Sequence, residues 1–150
     1  MSHRTFSTSL TNDLREVPRL ADIARRFGAA HGLSADDVLR IQLVLDEIVI
    51  NIIRHGYADI GDTARHEIEI HLTLDDNRLT IRVEDAAREY DPTKAPNPRF
   101  DMPVTERRPG GLGVHIVKAI MDAISYRREN GRNILTMTKQ LESGYPASSA

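Results

Sequence analysis

The chain has 150 residues, the length of one domain that buries roughly two-thirds of its unfolded surface. A net charge of −2, with 40% hydrophobic and 28% charged residues, excludes a broad pull toward nucleic acid or an anionic membrane. The absence of cysteine excludes disulfides and thiolate metal sites, and no stretch reads as a signal peptide or membrane span. The expectation is a cytoplasmic protein with one domain over residues 1–142 and a polar tail over 143–150.

Taken in chain order, Arg4–Leu10 alternates weakly and is expected as an edge strand. From Asn12 to His31, Leu14, Val17, Leu20, Ile23, Ala24 and Phe27 recur at helical spacing, and Gly28 with Gly32 close the segment. Ser34 through Asp37 reads as a capping box, serine at the N-cap and an acid at N3. The helix it opens is expected to run to about His55, stopped by Gly56, a length of roughly 30 Å. Val38, Ile41, Val44, Leu45, Ile48 and Ile52 share its core face, whereas Arg40, Glu47, Asn51 and Arg54 form a stripe without apolar residues. His55 projects toward the apolar side and is read as a packed, hydrogen-bonded residue.

His66–Leu74 and Arg78–Asp85 alternate with period two around a turn at Asp75, Asp76 and Asn77. Arg88–Pro109 holds five prolines and little periodicity, and a loop of that length is usually functional or disordered. Gly110, Gly111, Leu112 and Gly113 then open an apolar helix. A second hairpin turns at Asn130-Gly131, a strong turn signal. Strands paired as hairpins, with helices between them, predict an α+β two-layer sandwich. Its sheet is expected to be mixed or largely antiparallel, with three helices on one face.

Three segments carry candidate chemistry. Glu47 and Asn51 lie four residues apart, so both leave one helix face and can meet one ligand. A carboxylate can take a proton from a hydroxyl, and a carboxamide oxygen can ligate Mg²⁺; the plainer reading is a solvated polar stripe. Asp85 ends a strand, where it can accept from an exocyclic amine or simply bond its own turn. The run from Arg107 to Val117 places glycines before a helix, an anion site at the positive end of the dipole or a flexible hinge. It lacks the Lys-Ser/Thr of a Walker loop. The histidines show no metal-ligand spacing.

In combination these segments resemble the GHKL (Bergerat-fold) ATPase and kinase superfamily. Asp46–Tyr57 is similar to its N-box, Val83–Pro92 stands where its first glycine box does, and Gly110–Val117 matches its second. The short chain and the Glu-x-x-x-Asn-x-x-x-His-Gly-Tyr pattern look most like the anti-sigma factor serine/threonine kinases of bacterial partner-switching systems. The middle motif departs from the pattern, because Ala87 and Glu89 stand in glycine places.

The resemblance implies a histidine-kinase-like ATPase domain that uses ATP and Mg²⁺. Glu47 would be the general base toward a substrate serine or threonine, and Asn51 would hold the Mg²⁺. Asp85 would accept from the adenine amino group, and Ala87 would line the base loop. Gly110, Gly111, Leu112 and Gly113 would meet phosphates through backbone N–H groups, with Arg107 and Arg108 pairing phosphate oxygens under a lid over Thr93–Pro109. The implied partners are a sigma factor and an anti-sigma antagonist protein, with a homodimer suggested. The alternative is a switch module that sequesters its partner without phosphorylating it.

Overall fold

The computed structural model describes residues 3–56, 66–94 and 111–141. The expectations for Arg107, Arg108, Gly110, the lid beyond Lys94 and the tail over 143–150 lie outside the described residues.

Strand β1 (His3–Thr11) leads into a 3₁₀ turn, Leu14–Glu16, and then helix α1 (Pro18–His31). The helix expected from Asn12 therefore starts later. Asp13 caps the separate turn, its carboxylate accepting from the Arg15 N–H at 2.9 Å, and such local bonds compete with helix formation. Pro18 then opens α1, where its missing N–H leaves no hydrogen bond unmade. The helix ends at Gly32, whose φ of 67° suits a residue without a side chain.

Helix α2 (Ala35–Asn51) starts as its capping residues require: the Asp37 N–H donates to the Ser34 hydroxyl at 3.1 Å. Beyond Asn51 the winding continues to Gly56, but as a π turn over Ile52–Gly56. Such wide turns are rare and frequent at functional sites. α1 and α2 approach closely at Gly28. A Cβ there would lie 2.2 Å from Val38 Cγ2.

Strands β2 (Glu67–Asp75) and β3 (Arg78–Asp85) form the first hairpin, and β4 (Ala123–Glu129) and β5 (Arg132–Gln140) the second. The second turn has φ of 52° at Asn130 and 75° at Gly131, the two left-handed positions that a tight hairpin requires. Helix α3 (Gly111–Ile120) lies between the hairpins in sequence and packs against α2. The sheet order is β1-β2-β3-β5-β4, and every pairing is antiparallel. β1 occupies an edge, as its weak alternation suggested.

One core joins the layers. Leu20, Ile23 and Phe27 of α1, Ile41, Val44, Leu45 and Ile48 of α2, and Val117 of α3 meet Ile70, Leu72, Ile81, Val83, Leu135 and Met137 of the sheet. Each such side chain contributes roughly 1.5–3 kcal/mol on burial. The opposite parity carries Thr73, Thr80, Arg82 and Thr136, half-buried on the uncovered face. The three helices thus cover one side of an α+β sandwich, and its rim carries the candidate residues.

Candidate functional site

Asn51 ends α2, Asp85 ends β3, and Ala87 follows in the loop after β3; all three line one small cavity. Ile48, Ile52, Tyr90, Pro92, Tyr126 and Leu135 supply its apolar walls. It measures about 30 Å³, enough for water and less than a purine occupies. A broader, shallower concavity of about 650 Å³ lies on the uncovered sheet face among Thr5, Thr73, Thr80 and Arg82. None of the sequence-predicted site residues lines that larger space. Size is therefore a poorer guide here than chemistry.

The polar stripe on α2 is not uniformly solvated. Arg40 and Arg54 are exposed and Glu47 is half-buried, but Asn51 is only 7% exposed. Its carboxamide makes no hydrogen bond among the described residues, although it faces the cavity. A largely buried carboxamide with no protein partner among the described residues is open to a hydrogen bond from water or a ligand in the cavity. Glu47 sits one turn back on α2, outside the cavity lining. Its charge, after the larger effect of burial, helps to push the neighbouring Asp46 carboxyl above its ordinary range, against a hydrogen bond from Gln42.

Asp85 is 3% exposed. Its Oδ1 accepts from the Ala87 N–H and from Asn133 Nδ2, both at 2.9 Å, while its Oδ2 has no partner among the described residues. The carboxylate therefore does bond its own turn, and it also keeps one oxygen for a donor in the cavity. Burial pushes the Asp85 carboxyl upward; Asn133, the Ala87 N–H, Arg128 and Arg132 pull it back.

Ala87 and Glu89 occupy places where the resembling family has glycine, yet neither has a positive φ. The backbone is unstrained by either side chain. Glu89 is exposed, so what it adds is charge. The loop meets the π turn through Arg88, whose Nε donates to the His55 carbonyl at 3.1 Å. The His55 ring stacks on Tyr90 at 6.5 Å between centroids. Its packing is as expected, but the hydrogen bond runs through its backbone.

Gly111, Leu112 and Gly113 form the first turn of α3, so the glycines belong to the helix and do not precede it. The first four N–H groups of a helix lack intrahelical partners, which leaves this turn able to bind an anion. Among the described residues no set of three His, Cys, Asp or Glu side chains is grouped to hold a metal. A Mg²⁺ here fits only as a nucleotide-borne ion held by one protein oxygen and phosphates, its usual mode. Asn51 suits that role.

Three residues that hold the candidate site together were not foreseen: Asn133, Tyr126 and Arg128. Tyr126 Oη donates to Asn133 Oδ1 at 2.6 Å, and the Arg128 guanidinium donates to the Ala87 carbonyl at 2.7 Å. A signal was present in β5, where Asn133 shares the inward parity of Leu135 and Met137. A carboxamide at an apolar parity marks a polar job.

Comparison with known proteins accords with this geometry. A family model described as the histidine kinase-like ATPase domain matches residues 10–139. The serine/threonine-protein kinase BtrW of Bordetella bronchiseptica is 36% identical over 104 residues, 67% of this chain and 70% of that protein. The serine-protein kinase RsbW of Staphylococcus aureus is 25% identical over 125 residues, 82% of this chain and 76% of its own. A crystal structure of the RsbU and RsbW domains of a Mycobacterium tuberculosis protein matches 92% of this chain with a TM-score of 0.64 at 17% identity. This chain spans 32% of that longer one, and the likeness is of fold. With the family match covering residues 10–139, most of its length, the chain belongs to the histidine kinase-like ATPase family.

Proposed function

We propose that this protein is an ATP-dependent serine/threonine protein kinase that acts as an anti-sigma factor and phosphorylates a small antagonist protein. The observation that carries the reading is the cavity that Asn51 and Asp85 line together, where the Asn51 carboxamide and Asp85 Oδ2 have no hydrogen-bond partner among the described residues. The relatives named as serine/threonine kinases support the reaction class. Bound Mg-ATP supplies the transferable phosphoryl group, and the chain's own residues do the rest.

Asp85 Oδ2 accepts from the adenine amino group, while Ala87 and the apolar walls hold the ring. Admission of a purine requires the mouth side chains, Tyr90 among them at 39% exposed, to move outward. The Asn51 carboxamide oxygen would hold the Mg²⁺ that accompanies the nucleotide and offsets phosphate charge. Backbone N–H groups of Gly110, Gly111, Leu112 and Gly113, with Arg107 and Arg108, bind phosphate oxygens. Glu47, one turn along α2, receives the proton of the substrate hydroxyl as that oxygen bonds to phosphorus and ADP departs. We further read the chain as one domain over residues 1–142, cytoplasmic and homodimeric, that alternates between a sigma factor and its antagonist. No helix among the described residues is long and apolar enough to cross a membrane.

Glu47→Gln tests the reading. It keeps shape and removes the basic oxygen, so label transfer from ATP to the antagonist should fall about 10²–10⁴-fold while nucleotide binding persists. Wild-type protein that binds the antagonist tightly but transfers nothing would overturn the kinase assignment and leave sequestration as the function.

A further inference from the structure

Asn133 is 6% exposed and opposes Asp85 across the β3–β5 pairing and Arg128 across the β4–β5 pairing. Its Nδ2 donates to Asp85 Oδ1 at 2.9 Å and to the Arg88 carbonyl at 3.0 Å. Its Oδ1 accepts from Tyr126 Oη at 2.6 Å and from the Arg128 guanidinium at 3.1 Å. Chemistry fixes the orientation of the amide. A guanidinium can only donate, so it must face the oxygen; a carbonyl and a carboxylate can only accept, so they must face the NH₂. Both ends of the carboxamide are therefore in use.

The segment it clamps, Ala86–Tyr90, contains no glycine and no positive φ. Its placement comes instead from bonds sent across by β4 and β5. Asn133 and the Ala87 N–H together occupy Oδ1 of Asp85 and so leave Oδ2 for the cavity. We propose that Asn133 is the positioning residue for base selection: by holding Asp85 Oδ1 and the Arg88 carbonyl, it aims Asp85 Oδ2 at the purine amino group. This rests on the nucleotide reading of the cavity. It adds a residue that does not touch the base but decides which oxygen does.

The test compares ATP and GTP affinities of the wild type, Asn133→Asp and Asn133→Thr by calorimetry, with thermal melts as a folding control. The expected wild-type preference is for ATP. Asn133→Asp turns the donor toward Asp85 into an acceptor, and the ATP-over-GTP ratio should fall about tenfold. The ratio should recover toward acid pH, where a proton shared with Asp85 restores a donor; Arg128, Tyr126 and Arg132 face the same pair. Asn133→Thr retains a hydroxyl donor and should keep more of the preference. Equal loss of both nucleotides, or an unchanged ratio in folded Asn133→Asp, would overturn the positioning role while the nucleotide site stands. A wild type that binds neither nucleotide would overturn both.

Discussion

On the proposed reading, Asp85 serves a ligand at some expense to the fold. Its carboxyl is pushed upward chiefly by burial, so ionising it is harder in the folded than in the unfolded state. That cost is absent in acid, where both states hold the proton. It grows as pH rises from the unfolded value of about 3.9 and is complete above the folded pKa. Asp85→Asn keeps an oxygen for the Ala87 and Asn133 donors without the charge. Denaturation melts should find Asp85→Asn more stable than wild type at neutral pH, with the advantage shrinking in acid. The same substitution should weaken ATP about tenfold or more and GTP less, because the lost bond is to a charged acceptor. Equal losses for both nucleotides would make Asp85 a loop residue and not a base reader. Asp85 was legible in the sequence as the acid ending an alternating strand. Asn133 was not, because it stands beside a hairpin turn in sequence and meets Asp85 only through the β3–β5 register.

Helices and hairpins divide by how local their causes are. The capping serine, the Asn130-Gly131 turn and the period-two strands act within a few residues, and each stands where the sequence puts it. The start of α1 and the π turn were missed. One depends on the Asp13 carboxylate accepting from the Arg15 N–H, and the other places His55 and its carbonyl against a loop more than thirty residues distant. Gly28 is a second distant effect, since its role is contact with Val38 and not the helix end that its spacing suggested. Gly28→Ala should destabilise the protein by about 1–3 kcal/mol in urea melts, because overpacking forces α1 and α2 apart. Adding Val38→Ala should recover part of the loss, so the double variant is less destabilised than the sum of the singles. Ser34→Ala should cost about 1 kcal/mol through the lost cap.

The whole molecule places one contribution from each layer at a shared rim. α2 brings Glu47 and Asn51, β3 brings Asp85, β5 and β4 hold the loop behind it, and the first turn of α3 offers backbone donors. A nucleotide held at this rim in the folded state alone should stabilise the fold by mass action. At a hundredfold excess over Kd the gain is about 2.7 kcal/mol, visible as a higher Tm with Mg-ATP. The central claim is that the cavity beside Asn51 and Asp85 is a nucleotide site, and calorimetric titration with Mg-ATP tests it most directly. Saturable single-site binding in wild type, strongly weakened in Asn51→Ala, is the result predicted. No heat at millimolar nucleotide, or equal binding by folded Asn51→Ala, would contradict it.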